Sequence, residues 1–139
     1  MLSFNWSCSK KKNNESFREI AKDFIQKYIE LSNCGFQFIS MYYNTDSLIS
    51  LVLHQNDDHV YWELVGHDQF GKKLTELGIK LKIENLLCKS QPVGKSKILI
   101  SIHGKAVDNF TQRDIAMTII LKIVSGTPRI VNQVLEMVV

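Results

Sequence analysis

The spacing of apolar residues changes once along this chain, and that change limits the fold more than any other feature. Between Phe17 and Ile29, apolar residues recur at steps of three and four, which is the repeat of an amphipathic helix. From Ile79 onward, apolar and polar residues alternate, which is the repeat of a half-buried β-strand. Helices followed by a run of strands predict an α+β fold, with helices gathered on one side of an antiparallel sheet.

Three helices are expected in the first part of the chain. Ser16 and Glu19 have the spacing of a capping box, so the first helix is predicted to begin at Ser16. Gly78 is well placed to cap the third helix at its carboxyl end. The predicted helices cover residues 16–34, 36–43 and 67–77.

The remaining apolar runs predict six strands. Two runs flank Asn56-Asp57-Asp58, whose side chains favour a turn because they bond to nearby backbone groups. The four later strands are predicted at residues 79–91, 97–107, 115–124 and 129–138. Their turns are expected at residues 92–94, 108–109 and 125–128.

One domain is predicted for residues 15–139, because a chain of 139 residues is ordinary for one domain and can bury a sizeable core. Residues 1–14 are polar and are expected to form a flexible lead. The lysine run Lys10-Lys11-Lys12 in this lead is either a solvated tail or a nuclear-import or phosphate-contacting patch.

The composition excludes several classes of protein. No apolar run reaches the roughly 18 residues of a membrane span, and the first residues lack the features of a secretion signal. The three cysteines Cys8, Cys34 and Cys88 are scattered, which indicates free thiols in a reducing compartment and no metal or cofactor site. The net charge of +3 is mild, so direct binding of nucleic acid is not expected.

Gly94-Lys95-Ser96 matches the end of a phosphate-binding loop. The complete loop requires a glycine at the position of Lys89, and a helix after the serine. A strand pattern follows instead, so the segment is predicted to be a hairpin turn whose lysines face water.

The predicted strands have two faces of different character. One face is continuous and apolar, and is suited to pack on the helices: Ile98, Ile100, Ile102, Ile115, Met117, Ile119, Leu121, Ile123, Val131, Leu135 and Met137. The opposite face is small, apolar or neutral instead of charged: Leu99, Ser101, His103, Ala116, Thr118, Ile120, Ile130, Asn132 and Val134. Such a face is predicted to dock a partner protein. The alternative is a solvent-facing sheet of moderate polarity.

Several segments have counterparts, in the same order and with similar spacing, in one known family. They are SFREIAKDFIQKY, GHDQFGKKL, LLCKSQP followed by ILISIHGK, QRDIAMTIILK and IVNQVLEMVV. Together they span residues 16 to 139 and resemble the nuclear transport factor 2 family, particularly the small subunit of the heterodimeric mRNA export receptor.

The resemblance implies a cone-shaped fold in which three helices pack on a curved sheet, with dimerisation through the outer face of the sheet. It places Ser101, Thr118 and Val134 where family members have dimer contacts. It places Glu136 where the export subunit has an arginine that closes its heterodimer, so the partner or the pairing must differ here. The predicted interface comprises Leu99, Ser101, Ala116, Thr118, Ile120, Val134 and Glu136.

The function that the resemblance implies is a non-enzymatic adaptor that supports passage through the nuclear pore in mRNA export. Its partners would be a larger export receptor subunit or a second copy of the chain, together with phenylalanine-glycine nucleoporins. It would reside in the nucleus and cytoplasm and at the nuclear pore. Phe17 matches the family's aromatic residue near the start of the first helix, with Trp6 close by in sequence. Phe17 either contacts the nucleoporin repeats or staples the helix to its own core.

A carrier of the GTPase Ran in its GDP form is an alternative within the same family. That carrier uses two acidic residues in the loop after the glycine-ended strand, where this chain offers only Asp108. Its Trp-Glu pair has a counterpart in Trp62-Glu63, but the hairpin here is longer, and Leu51 can take the place of the tryptophan. These departures of Glu63 and Asp108 from the family pattern argue against Ran binding.

Two further alternatives use the same fold. An isomerase or dehydratase would need an acid and a base inside the cone, and a fold does not by itself confer catalysis. The candidate residues are Tyr42, Tyr43, Asp46, His54, His59 and His67, and no acid and base among them are clearly placed together. An RNA-associated scaffold is the last alternative, and such scaffolds carry this domain at the front of a much longer chain.

Overall fold

The structure is a computed structural model that describes residues 2–4, 12–108 and 111–139. In this part of the chain it has two α-helices, one 3₁₀ helix and a seven-stranded sheet. Helix α1 is Lys12–Cys34, the 3₁₀ helix is Phe36–Tyr42 and helix α2 is Gly66–Glu76. The strands are β1 Leu2–Phe4, β2 Tyr43–Gln55, β3 Asp58–Val65, β4 Ile83–Val93, β5 Lys97–Val107, β6 Gln112–Val124 and β7 Thr127–Val138.

The helices pack on one face of the sheet and enclose one core. Ile100, Ile119 and Leu135 project from the sheet and are fully buried. They belong to the same buried cluster as Ile25 of α1 and Phe70 of α2. The predicted α+β fold is therefore confirmed, because the period-two strands and the period-3.6 helix bury their apolar faces against each other.

The sheet is mixed, whereas the sequence predicted an antiparallel one. Its strand order is β1-β4-β5-β6-β7-β2-β3. The pairs β2–β7 and β1–β4 are parallel, and the other neighbours are antiparallel. Strands β2 and β7 are joined by a long connection that contains β3, α2, β4, β5 and β6. No local sequence pattern reports the relative direction of two strands that are joined in this way.

Helix α1 begins at Lys12, so the predicted capping box is wrong: Ser16 lies inside the helix. Residues 12–15 contain no glycine or proline that would end the ladder of backbone hydrogen bonds. The predicted lead of residues 1–14 therefore overlaps the helix. Trp6, Cys8, Lys10 and Lys11 lie outside the described residues, and the roles expected of them stay predictions.

Most predicted turns lie close to where they were expected. Asn56 (φ 56°) forms the turn between β2 and β3, and Gly78 (φ 68°) follows α2 in the left-handed conformation that favours glycine. Residues 94–96 connect β4 to β5, so the segment resembling a phosphate-binding loop is a hairpin turn. Two boundaries differ, because Pro92 belongs to β4 and Pro128 to β7.

An irregularity in the pairing of β7 with β6 reverses the predicted orientations of the Ile130 and Val131 side chains. Ile120 pairs with Asn132 and Leu121 pairs with Ile130, so Val131 is an extra residue in β7. This β-bulge shifts the alternation, so Ile130 is fully buried and Val131 is only partly so. The predicted outward position of Ile130 and inward position of Val131 are therefore wrong.

None of the helices in the described ranges is both long enough and apolar enough to cross a bilayer.

The two cysteines that the structure describes lie in different surroundings, and their reactivity should differ. Cys34 is exposed, whereas Cys88 is buried, and burial raises the pKa of the Cys88 thiol to about 11. Iodoacetamide at pH 8 should modify Cys34 in the folded protein while Cys88 reacts roughly 100-fold more slowly than an ordinary exposed thiol, because only the thiolate is nucleophilic. Peptide mass spectrometry measures both rates. Equal modification of the two cysteines in the folded chain would contradict the burial of Cys88, and guanidinium-unfolded protein is the control.

Candidate functional site

The outer face of the sheet, which the helices leave uncovered, carries neutral side chains arranged in rows across six strands. The first row is Gln91, Leu99, Ile120, Asn132, Leu48 and Val65. The second row is Lys89, Ser101, Thr118, Val134, Ser50 and Glu63. The third row is Leu87, His103, Ala116, Glu136, Val52 and Tyr61. We call the uncharged members of these rows the outer patch.

Within the three rows, Lys89, Glu63 and Glu136 are charged, and further charged residues lie beyond the two ends of the outer patch. A basic row of Lys97, Lys122 and Arg129 borders one end of the patch. The ion pair between Lys105 and Asp114 borders the other end. An uncharged centre with a charged rim is the arrangement found at protein–protein interfaces.

All seven residues predicted for the dimer interface lie on this outer face, from Leu99 on β5 to Glu136 on β7. His103 also lies there, as predicted. The predicted interface did not include β2 and β3, which contribute Leu48 (54% exposed) and Tyr61 (60% exposed). Segment 48–53 is apolar on both faces, and this signal could have indicated a strand that is covered on both sides.

Glu136 has a partner within its own chain. The Nε2 atom of His54 donates to the Glu136 carboxylate at 3.2 Å, and both side chains are nearly half exposed. A bound protein therefore does not have to supply the only hydrogen-bond donor for this carboxylate.

The interior of the cone holds a closed polar cluster. The hydroxyls of Tyr28 and Tyr43 are 2.8 Å apart, Tyr43 donates to the Gln133 side-chain oxygen at 2.5 Å, and the Gln133 amide donates to Tyr28 at 3.2 Å. Burial raises the pKa of both tyrosines, and that of Tyr43 rises well above its ordinary value. Each polar group has a partner inside the cluster, so the cluster supports the core and offers no free acid or base.

The candidate catalytic residues are not gathered in one site, although the rings of Tyr43 and His67 have centroids 5.6 Å apart. Asp46 and His59 are exposed, and His54 lies on the outer face of the sheet. Tyr42 is buried edge-to-face against Phe24, with ring centroids 5.0 Å apart. Among the described residues, the buried polar or charged ones are Ser32, Ser47 and Gln133, so no carboxylate or imidazole lies in the core.

The two acidic residues considered for Ran binding are not brought together. Glu63 is on β3 at one edge of the sheet, and Asp108 follows β5, with β6, β7 and β2 between these strands. Four strand spacings correspond to about 19 Å across the sheet. Trp62 pairs directly with Leu51, and both side chains pack toward the core.

Phe17 is partly buried and packs against the core from the second turn of α1. The guanidinium carbon of Arg18 lies 5.9 Å from the centroid of the Phe17 ring. The ring thus combines packing on its own core with an accessible side. Because α1 begins at Lys12, Phe17 is not at the start of the helix.

No set of three or more histidine, cysteine, aspartate or glutamate side chains within the described ranges is arranged to hold a metal ion.

No protein-family model matches the sequence, and no curated protein sequence matches it significantly. Solved structures do match. A chain of the Candida albicans Mtr2–Mex67 M domain complex has a TM-score of 0.68 at 14% identity, over 87% of this chain and 94% of that chain. The yeast UBP3-associated protein BRE5 has a TM-score of 0.63 at 20% identity, over 87% of this chain and 95% of that chain. An NTF2-like protein of unknown function from Shewanella baltica has a TM-score of 0.60 at 13% identity, over 88% and 94%.

These likenesses establish the class of fold. The chain has the nuclear transport factor 2-like fold, as the sequence predicted, with helices packed on a curved sheet. A ketosteroid isomerase-like protein from Parabacteroides distasonis also shares this fold, so the fold by itself does not choose between binding and catalysis.

Proposed function

We propose that the chain is a non-enzymatic adaptor that pairs with another protein through the outer patch and supports passage of its partner through the nuclear pore in mRNA export. The observation that carries this proposal is the outer patch. Uncharged side chains such as Leu48, Ile120 and Val134 cover the middle of a sheet face that no other part of the described chain covers. The free energy of association is favourable when a partner removes a contiguous surface of this kind from water.

The size of the outer patch indicates how far the interface extends. Three rows across six strands cover roughly 500 Å², from the spacings of strands and of residues within them. A standard interface buries about 800 Å² on each partner. The partner therefore reaches the charged rim, including Lys122 and Arg129, and the rim helps to select it.

The partner is a larger mRNA export receptor subunit or a second copy of the chain. Two observations support a different protein as the partner. The sequence resembles the small subunit of a heterodimer, and two matching structures come from complexes of different proteins, Mtr2 with Mex67 and Ubp3 with Bre5. We place the complex in the nucleus and cytoplasm and at the nuclear pore, in contact with phenylalanine-glycine nucleoporins.

The alternatives have weaker support. Catalysis on this fold would need an acid and a base inside the cone. The described core instead holds Tyr28, Tyr43 and Gln133, whose side-chain polar groups are hydrogen-bonded to one another. Ran-GDP binding would need neighbouring acids, and Glu63 and Asp108 lie on separated strands.

Affinity purification of the tagged full chain from its native cells tests the proposal. A stoichiometric partner identified by mass spectrometry, or a dimer of the chain in light scattering, is the expected result. A chain that stays monomeric at high concentration and enriches no partner would overturn it.

Phe17 offers a second test of the nuclear pore role. Replacing Phe17 with alanine should lower the free energy of unfolding by about 1–2 kcal/mol, because the ring is only partly buried. Binding to a multi-repeat nucleoporin fragment should fall several-fold per folded molecule, since repeat binding sums several weak contacts. Phe17→Leu is the matched control, because leucine keeps the apolar packing and removes the ring. If Phe17→Leu binds repeats as the wild type does, Phe17 has no aromatic role at the pore.

A further inference from the structure

A cleft of about 590 Å³ opens on the helical side of the molecule. Its walls are residues 32–37, where α1 passes into the 3₁₀ helix, residues 67, 68, 71, 72, 74 and 75 of α2, and the connecting segment 79–82. The volume is in the range of protein ligand sites. The cleft lies on the opposite side of the sheet from the outer patch, so its role is independent of the proposed function.

One wall of the cleft is fixed by hydrogen bonds. The Ser32 hydroxyl donates to the Leu81 carbonyl at 2.9 Å, and the backbone N–H of Ile83 donates to the Asn33 side chain at 3.0 Å. These bonds hold segment 79–83 against the end of α1. The buried side chains of Leu74, Ile79 and Leu81 give the cleft an apolar base. The site is therefore formed before any ligand arrives.

The His67 ring forms part of the cleft wall and is fixed in place. Its ring stacks on Phe36 with centroids 4.4 Å apart, and its Nε2 atom donates to the Phe36 carbonyl at 2.8 Å. In the neutral ring the proton is then on Nε2, so Nδ1 is an acceptor. Nδ1 is buried and has no hydrogen-bond partner, with the Asp68 carboxylate 3.5 Å away.

The charge around the cleft is positive. Lys72, Lys80 and Lys82 line it, and no carboxylate of the described residues is within ion-pair distance of their ammonium groups. Asp68 is the one acidic residue among the lining residues. Lys73, on the same helix, pairs with Glu76 and does not line the cleft.

We propose that this cleft binds an extended acidic segment of a partner protein. Carboxylates of the segment would pair with Lys72, Lys80 and Lys82, and its apolar side chains would lie on the base of the cleft. An extended chain meets both requirements at once, because its side chains alternate between two faces.

A fluorescein-labelled eight-residue peptide of alternating glutamate and leucine is the probe, and fluorescence anisotropy at low salt is the measurement. We expect it to bind, and to bind more weakly as salt is added. A glutamate–serine peptide should bind several-fold more weakly, because it lacks the apolar side chains. A lysine–leucine peptide should not bind.

Charge variants locate the binding to the cleft. The double variant Lys80→Glu, Lys82→Glu should weaken binding at least tenfold, because two attractive contacts become repulsive. The matched control is Lys27→Glu, Lys95→Glu, which changes the net charge equally at exposed positions outside the cleft. This control should stay within twofold of the wild type. Asp68→Asn should strengthen binding two- to threefold, and thermal melting verifies that each variant is folded.

Three outcomes would overturn the proposal. The glutamate–leucine peptide could fail to bind the wild-type protein. The control pair could weaken binding as much as the cleft pair, which would mean that only overall charge matters. An octa-uridine RNA could bind with the same lysine dependence while the peptide does not, which would assign the cleft to nucleic acid.

Discussion

Replacing Thr118 with arginine is expected to raise the dissociation constant of the complex by more than a hundredfold. Thr118 lies in the middle row of the outer patch, paired with Ser101 on one side and Val134 on the other. An unpaired guanidinium buried there costs on the order of 3 kcal/mol of association free energy. Light scattering and calorimetry with the purified partner measure the loss.

The folded chain itself should tolerate Thr118→Arg, because Thr118 is exposed in the single chain and surface substitutions change stability by about 0.5 kcal/mol or less. Thr111→Arg, at an exposed position between β5 and β6, is the matched control and should leave association unchanged. Undiminished association of Thr118→Arg would exclude the outer patch as the interface.

Replacing Phe70 with alanine is expected to lower the free energy of unfolding by about 3–5 kcal/mol, because a buried ring leaves a cavity when it is removed. Phe70 is a residue of α2, and its side chain is fully buried. It packs edge-to-face against Phe36 and Tyr43, with centroids 5.1 Å and 6.3 Å away. Urea denaturation followed by circular dichroism measures the change.

Phe38→Ala is the control for this substitution, because Phe38 is 46% exposed and its removal should cost about 1 kcal/mol or less. If Phe70→Ala costs no more than Phe38→Ala, then α2 does not pack on the sheet in the way described here.

The parts of the fold that follow from short-range pattern could be predicted from the sequence. The recurrence of Ile25, Tyr28 and Ile29 places α1, and the alternation around Ile100 places β5, whose predicted bounds match the observed ones. Both patterns arise because an element buries one face, and the residues of that face repeat with the period of the element.

The parts that depend on pairing between distant segments could not be predicted. The bulge at Val131 becomes visible only once β7 is paired with β6. Leu48 and Tyr61 join the outer patch because β2 lies beside β7. The apolar segment 48–53 indicates a strand that is covered on both sides, but it does not indicate which strand lies beside it.

The cleft shows the same limit more strongly. His67 follows β3, Lys80 follows α2 and Asn33 ends α1, so three separate segments form one site. The unsatisfied Nδ1 of His67 depends on a tautomer that is fixed by a carbonyl at Phe36. A sequence presents these residues as unrelated, and only the packed chain brings them together.

The parallel pairing of β2 with β7 also has a consequence for how the chain reaches this fold. His54 and Glu136 meet across this pair although they are 82 residues apart in the chain. A contact of such long range forms only after a large loop has closed. Loop closure lowers the conformational entropy before the contact adds any stability, so such contacts slow folding. On the ribosome, β2 and β3 therefore emerge well before β7, and until then the edge of β2 is unpaired. During synthesis an unpaired strand edge is a place where another chain can pair wrongly, and the arrival of β7 removes that edge.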